Sequence, residues 1–146
     1  MDLTGSSLVV VADGRRARLF EERRRGGALI DITAQLGDLS LHRPTASGFS
    51  GRVHDRLGPA SHTTGEAPKD RREADFVDLV GVRAAQVMRR GDYRDLVLMA
   101  APRALGQLRR AMAHAGVTVT HAEAHDRVSQ DPESLRTSLR ELRLRA

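Results

Sequence analysis

The sequence predicts an α/β fold in which an antiparallel three-stranded meander and a following α-β-α-β-α run share a single mixed five-stranded sheet. Three short apolar runs separated by turn residues open the chain, and helical and strand periodicities alternate after residue 67. The 146 residues suit one domain with a core of useful size rather than two. We therefore expect a single domain over residues 1–146, interrupted by a long flexible loop at 37–69.

The N-terminal meander is predicted from three strand-like segments. Residues 8–12 are continuously apolar and rich in valine, as expected of a central strand that is covered on both faces. Residues 17–21 and 28–34 form the second and third segments. The turn signals Asp13-Gly14 and Gly26-Gly27 separate the three, and connections this short favour antiparallel pairing.

The second half of the chain alternates helices with strands. A strand–helix–strand unit implies parallel pairing through a right-handed crossover. The best-known arrangement of this element order is the ribonuclease-H-like topology. The predicted elements are, in order, a helix from Pro68 to a stop at Gly91, a strand at 96–100, a helix from Pro102 to a stop at Gly116, a strand at 117–121 and a helix capped by Asp131.

Composition excludes several classes of protein. The chain contains no cysteine, which rules out disulfide scaffolds, thiol nucleophiles and cysteine-ligated metal sites. It shows neither a secretory signal nor the roughly 20 apolar residues of a membrane helix, so we expect a cytoplasmic protein without membrane contact. The net charge is +5 without any basic tail, so a nucleic-acid surface would have to be assembled by folding. Aromatic residues make up only 3%, which leaves phosphate and shape, rather than base stacking, for RNA contact.

Two segments resemble the bacterial host-attachment protein family. They are Val-Val-Ala-Asp-Gly-Arg-Arg-Ala-Arg-Leu-Phe at 10–20 and Leu-Val-Leu-Met-Ala-Ala-Pro-Arg-Ala-Leu-Gly-Gln-Leu-Arg at 96–109. The loop between them and the Pro-Glu-Ser-Leu at 132–135 also lie where that family places them, so the resemblance spans nearly the whole chain. The motif positions are Asp13, Gly14, Pro102, Gly106 and Asp126.

The resemblance implies one of two roles. Members of the family are similar to the middle domain of archaeal and eukaryotic release factors, which implies a translation-related domain that binds structured RNA or the ribosome. The family name instead implies a protein-interaction module that supports attachment to a surface or host. The Gly-Gly-Gln element that release factors need for peptidyl-tRNA hydrolysis is missing, because Gly26-Gly27 is followed by Ala28. The sequence therefore favours a binding domain without a cofactor over an enzyme.

Arg103 is the first candidate for binding an anion. It lies in the first turn of a predicted helix that follows a parallel strand, where backbone N–H groups and the helix dipole favour a negative ligand. Arg110 is seven positions further along the same face, and Arg15 and Arg16 would join them if the first and fourth strands are neighbours. Arg52, in the loop, completes the predicted RNA- or anion-binding set.

The alternative for Arg103 is an ion pair with a carboxylate such as Asp13, or projection into water.

The carboxylates of Asp13 and Asp126 allow a different interpretation of the chain. Asp13 ends the first strand, where ribonuclease-H-like enzymes place a metal-binding aspartate, and Asp126 follows the fifth, so a metal-dependent nuclease-like hydrolase is a second alternative. An aspartate before glycine more often bonds its own backbone in a turn, and we assign no catalytic residue.

His121, Glu123 and His125 are weak candidates for a metal site. They alternate, so they project from one face if the fifth strand persists, and two histidines with a carboxylate suit zinc. Exposed polar residues after a strand would give the same pattern by chance. We therefore predict no metal.

Overall fold

The computed structural model describes residues 6–40 and 67–145, which form a five-stranded sheet and three helices. The elements are β1 (Ser6–Ala12), β2 (Ala17–Glu22), β3 (Leu29–Asp31), a 3-10 turn (Thr33–Leu36), α1 (Pro68–Arg90), β4 (Tyr93–Ala100), α2 (Pro102–Ala115), β5 (His121–Ala124) and α3 (Pro132–Arg145). The strand order across the sheet is β3-β2-β1-β4-β5. This confirms the predicted α/β class with one mixed sheet, while the ribonuclease-H-like comparison and the single-domain assignment stay predictions.

Strand β1 joins the two halves of the sheet. It pairs antiparallel with β2, whose other edge pairs antiparallel with β3, so the predicted meander is confirmed. On its other side β1 pairs in parallel with β4, and β4 with β5. In this register Val10 lies between Leu19 of β2 and Leu98 of β4. The carboxyl ends of β1 and β4 therefore meet at one edge of the sheet.

The two faces of the sheet are covered by different helices. Side chains such as Leu8, Val10 and Leu98 face α1 and α2, and the intervening residues, such as Val9 and Val97, face α3. Residues 8–12 are fully buried, as the continuous apolar run predicted for a central strand. A layer of helix on each face satisfies the requirement that a two-sided apolar sheet be covered on both sides.

Helices α1 and α2 run side by side in the same direction on their face of the sheet. A Cβ atom at Gly81 would lie 2.6 Å from the Cβ of Ala111, so these two small residues allow the helices to touch. Helix α2 ends at Gly116, which has φ +74° and occupies the left-handed region, as its position in the sequence predicted. Asp131 caps α3 by accepting a hydrogen bond of 2.8 Å from the N–H of Ser134.

Several predicted boundaries were wrong. The third strand is only three residues long, because Thr33 Oγ1 accepts the N–H of Leu19 and the chain then turns into the 3-10 segment. The fifth strand was predicted at 117–121, but its ladder with β4 begins at His121, opposite Val97. Residues 117–120 do not join that ladder: the N–H of Val117 bonds to Met112 of α2, and Thr120 exchanges hydrogen bonds with Leu96. The predicted loop at 37–69 is described only at its ends, where residues 68 and 69 already belong to α1, and residues 41–66 lie outside the described residues.

A buried ion pair fixes α3 to the sheet. Glu22 and Arg143 have side chains that are 1% and 11% exposed, and their closest atoms, Glu22 Oε1 and Arg143 Nη2, are 2.7 Å apart. Arg143 also donates to Ser7 Oγ, and Glu22 accepts the N–H of Gly26. Burial raises the pKa of Glu22, but the hydrogen bonds from Arg143 and Gly26 and the charge of Arg143 outweigh it and hold this pKa below its ordinary value of 4.5.

We expect Arg143→Leu to lower the free energy of unfolding by about 3–5 kcal/mol, because it leaves the Glu22 carboxylate buried without its counter-ion. The double variant Glu22→Leu with Arg143→Leu should recover most of this loss, since both charges are then replaced by apolar groups. Urea denaturation measures both values. A double variant as unstable as the single one would contradict this account of the pair.

The lowered pKa of Glu22 also predicts a dependence of stability on pH. A carboxyl whose pKa is lower in the folded than in the unfolded state contributes stability above the unfolded value, and this contribution is lost as the pH falls through the folded value. Below pH 4.5 the free energy of unfolding should therefore fall more steeply for the wild type than for Glu22→Gln. Denaturation at a series of acidic pH values tests this, and parallel curves would contradict it.

Candidate functional site

A cleft lies at the edge of the sheet where β1 and β4 end. It has a volume of about 330 Å³, and its walls are the turn after β1 and the first turns of α1 and α2. Crevices at the carboxyl ends of parallel strands are the usual location of ligand sites in open α/β sheets. The lining residues are Gly14, Asp70, Glu73, Ala74, Val77, Ala101, Pro102, Arg103, Ala104 and Gln107.

The turn at Asp13-Gly14 shapes one wall of the cleft. The Oδ1 atom of Asp13 accepts the N–H groups of Arg15 and Arg16 at 2.8 and 2.7 Å, so its carboxylate bonds its own turn. A Cβ atom at Gly14 would lie 2.6 Å from Glu73 Oε1 and 3.1 Å from Glu73 Cβ. Glycine at position 14 therefore lets the start of α1 approach the turn.

Two ion pairs line the mouth of the cleft. Arg103 contacts Asp70 with a distance of 3.2 Å between Nη1 and Oδ1, and its side chain is 76% exposed. Arg15 contacts Glu73 at 3.3 Å, and Lys69 Nζ lies 4.0 Å from the same carboxylate oxygen. The expected carboxylate partner of Arg103 is thus Asp70 rather than Asp13. The cleft carries cations and anions in alternation and is not the purely positive surface that an arginine at a helix start suggested.

Both helices at the cleft begin without a side-chain cap. Helix α1 follows Ala67 and helix α2 follows Ala101, and neither alanine can accept a hydrogen bond from the first turn. Proline is the first residue of each helix and has no N–H. The N–H groups of Arg103 and Ala104, in the first turn of α2 beside the cleft, therefore lack an intrahelical acceptor.

The structure separates the other predicted arginines. Because β1 and β4 are neighbours, Arg15 does reach the cleft, but Arg16 turns to the opposite face of the sheet and donates to Ser129 Oγ at 3.2 Å. Arg110 lines a different groove, beside Asp78. Arg52 lies outside the described residues.

Two further motif positions, Asp126 and Gly106, lie outside the lining of the cleft. Asp126 Oδ1 accepts the N–H of Val128 and so closes a turn. Gly106 has open space beside it, since only the tip of Arg110, at 3.9 Å, would contact a Cβ atom there. Close packing therefore explains the glycine at position 14 and leaves the one at position 106 unexplained.

The histidines and the carboxylate considered for a metal do not form a cluster. His121 and Glu123 do face the same side of β5, but His125 follows the end of the strand. Arg127 binds Glu123 with two hydrogen bonds of 2.7 and 3.1 Å, and Arg145 binds it with one of 2.8 Å. Hydrogen bonds from Arg127 lower the pKa of Glu123 more than burial raises it. Within residues 6–40 and 67–145 no group of three or more histidine, aspartate or glutamate side chains could hold a metal ion.

Sequence reasoning missed the two acids of the cleft. Asp70 and Glu73 lie near the positive end of the α1 dipole, where acidic residues are expected in any helix. Their presence in the sequence therefore did not indicate a site. Their spacing of three places them on one face of the helix, which was a usable signal that they act together. Which cations they would meet depends on how α1 packs against β1 and α2.

A family profile matches residues 8–139, from β1 into α3. Its description is "Protein required for attachment to host cells". The chain belongs to this family. The match includes both host-attachment motifs and every residue of the cleft, and it confirms the resemblance predicted from those motifs. A comparison with curated proteins found no match.

In the described parts of this host-attachment-family chain, no helix is both long enough and apolar enough to cross a membrane.

We expect Gly14→Ala to lower the free energy of unfolding by about 1–3 kcal/mol, because the added methyl group collides with Glu73. Combining it with Glu73→Ala should remove part of this cost, since the closest clashing atoms are then gone. Gly106→Ala is the matched control and should stabilise the protein by roughly 0.5–1 kcal/mol, because alanine is the better helix former and has room there. Chemical denaturation of the three variants tests this, and equal effects at positions 14 and 106 would contradict it.

Proposed function

We propose that this host-attachment-family protein is a non-enzymatic, cytoplasmic domain that binds the phosphate groups of structured RNA, such as that of the ribosome, at the mouth of the cleft. The observation that carries the proposal is the position of Arg103. Its guanidinium is exposed, and it projects from the first turn of α2 beside backbone N–H groups that lack a capping side chain. A planar guanidinium and a helix start are both well suited to a phosphate.

The ion pair between Arg103 and Asp70 is compatible with this role. An exposed pair of this kind contributes only about 0–1 kcal/mol, so an RNA phosphate can take the place of the carboxylate at little cost. Until then Asp70 keeps the arginine oriented across the cleft. Arg15 occupies the equivalent position on the opposite wall, paired with Glu73. Two arginines held by displaceable carboxylates could contact successive phosphates of a backbone.

A binding role fits the carboxylates of the site better than hydrolysis. The carboxylate oxygens of Asp13 and Asp126 accept backbone N–H groups of their own turns, which leaves them poorly placed to share a metal ion. The translation-related role is inferred from the similarity of host-attachment family members to the middle domain of release factors, which the resemblance of the two motifs to that family implies. It requires no cofactor.

We expect Arg103→Glu to reduce co-sedimentation with ribosomes at low salt by at least about tenfold, because it replaces a phosphate ligand with a like charge. Asp70→Asn should increase co-sedimentation with ribosomes, since it removes the carboxylate that competes with phosphate for Arg103. Binding of the wild type should weaken steeply with rising salt.

Arg140→Glu is the matched control for this experiment. Arg140 is exposed on α3, on the other face of the sheet, and the variant changes the net charge by the same amount. It should therefore leave most of the binding intact. If both variants lose binding equally, the loss is due to the change in net charge and not to the position of Arg103. Binding that does not weaken with rising salt would also contradict the proposal.

Attachment itself is the second candidate function, because the description of the family names it. In that case the chain acts through a protein partner and at or near the cell surface. Labelling of intact cells with a reagent that cannot cross the membrane distinguishes the two. Labelling of the native protein would favour attachment, whereas its protection until the cells are lysed would favour the cytoplasmic role.

A further inference from the structure

Helix α1 carries an exposed stripe that the cleft does not use. The stripe lies on the side of the helix that faces away from the sheet, and its residues are exposed, although Gln107 of α2 donates to Asp78 Oδ1 at 3.2 Å and Arg89 donates to the carbonyl oxygen of Ala115. Its members run along the helix from two acids, through an exposed valine and a glutamine, to two bases, while Arg71, one turn before Asp75 on the same face, adds a base near the start of the helix. The members of the stripe are Asp75, Asp78, Val82, Gln86, Arg89 and Arg90.

The centre of the stripe carries an exposed apolar side chain. Val82 is 50% exposed and is one of three large exposed hydrophobic residues in the described part of the chain. It borders a groove of about 1040 Å³ between α1 and α2, with small side chains such as Ala85, Ala111 and Ala115 in its lining. Alanines along two parallel helices leave room for the ridge of a third helix. That helix would also contact the polar side chains in the lining, which are Asp78, Gln86, Arg89, Arg110 and His114.

The order of charges makes the stripe complementary to itself. When two such helices pack antiparallel about an axis between positions 83 and 84, Asp78 of one lies level with Arg89 of the other. About the same axis Asp75 lies level with position 92, which is two positions or about 3 Å beyond Arg90, and the two Val82 side chains lie near the axis. Each contact then occurs twice, as a two-fold interface requires.

The acidic half of the stripe would gain from such a partner. Asp75 and Asp78 lie one turn apart on the same face. Burial and the charge of Asp75 both raise the pKa of Asp78, and Arg110 opposes this only in part. An additional cation in front of this pair would relieve the repulsion between the two carboxylates.

We propose that the exposed stripe of α1 is the interface through which two copies of this chain form an antiparallel, two-fold symmetric dimer. The ridge of each α1 occupies the groove between α1 and α2 of the other copy. The interface is separate from the cleft, so the proposal does not depend on RNA binding. Charge complementarity within one stripe favours a second copy over an unrelated helix.

Sedimentation equilibrium of the full chain tests the dimer directly. The wild type should be a dimer at micromolar concentrations, and Val82→Glu should raise the dissociation constant at least about 100-fold, because it buries a charge without a partner at the centre. Leu144→Glu is the matched control, since Leu144 is 79% exposed on α3 and lies outside the proposed interface. It should leave the dimer unchanged.

A charge swap tests the antiparallel arrangement itself. Asp78→Arg and Arg89→Asp should each raise the dissociation constant about tenfold, because each places like charges opposite one another. The double variant Asp78→Arg with Arg89→Asp should have a dissociation constant within about threefold of the wild-type value. Because Arg89 also donates to the carbonyl oxygen of Ala115 at the end of α2, thermal unfolding must confirm that its variants are folded. The pair Asp75→Arg with Arg90→Asp leaves that contact intact and should behave in the same way.

Three results would overturn the proposal. One is a monomer at every concentration up to the millimolar range. Another is a dimer that Val82→Glu leaves intact, or that Leu144→Glu disrupts as strongly. The third is the failure of both charge swaps to restore association in folded protein.

Discussion

The parallel pairing of β1 with β4 is the contact on which the rest of the structure depends. It joins a meander that is local in sequence and ends at Asp31 to a helix–strand–helix region that begins at Pro68, and it buries residues 8–12 completely. Because the strands run in the same direction, the turn after β1 and the start of α2 meet at one edge. The two host-attachment motifs, far apart in sequence, form opposite walls of one cleft for this reason.

Features fixed by local physics could be predicted from the sequence. The burial of β1, the start of α2 at Pro102 and its end at Gly116 each follow from a few neighbouring residues, and each is confirmed. The fifth strand shows where local reasoning fails. Residues 117–120 alternate in the manner of a strand, yet pairing with β4 begins only at His121, opposite Val97, although β4 itself begins at Tyr93. The position of a strand along its neighbour is a tertiary property.

The candidate site likewise combines features that neighbouring residues determine with features that depend on tertiary packing. That Arg103 begins a helix at the end of a strand is a local fact, and the sequence predicts it. That Asp70 is its partner depends on how α1 packs against α2. Glu22 and Arg143 are separated by 121 positions, and only the folded chain brings them together. Even so, Arg143 continues the spacing of the apolar stripe of α3, one turn beyond Leu139, and this was a usable sign that its side chain turns inward.

The two proposed surfaces lie at different places on the same helix, and this has a geometric consequence. Asp70 marks the cleft near the start of α1, whereas the proposed two-fold axis passes between positions 83 and 84. In the antiparallel dimer the two copies of Asp70 are therefore 27 helical positions apart, which is about 40 Å along the helix axis. Two clefts held at a fixed separation would engage a large RNA at two points at once. Bivalent contact of this kind raises the apparent affinity above that of either cleft, provided that the phosphates are presented at a matching distance. The dimer would then contribute to recognition without adding a single contact to the cleft.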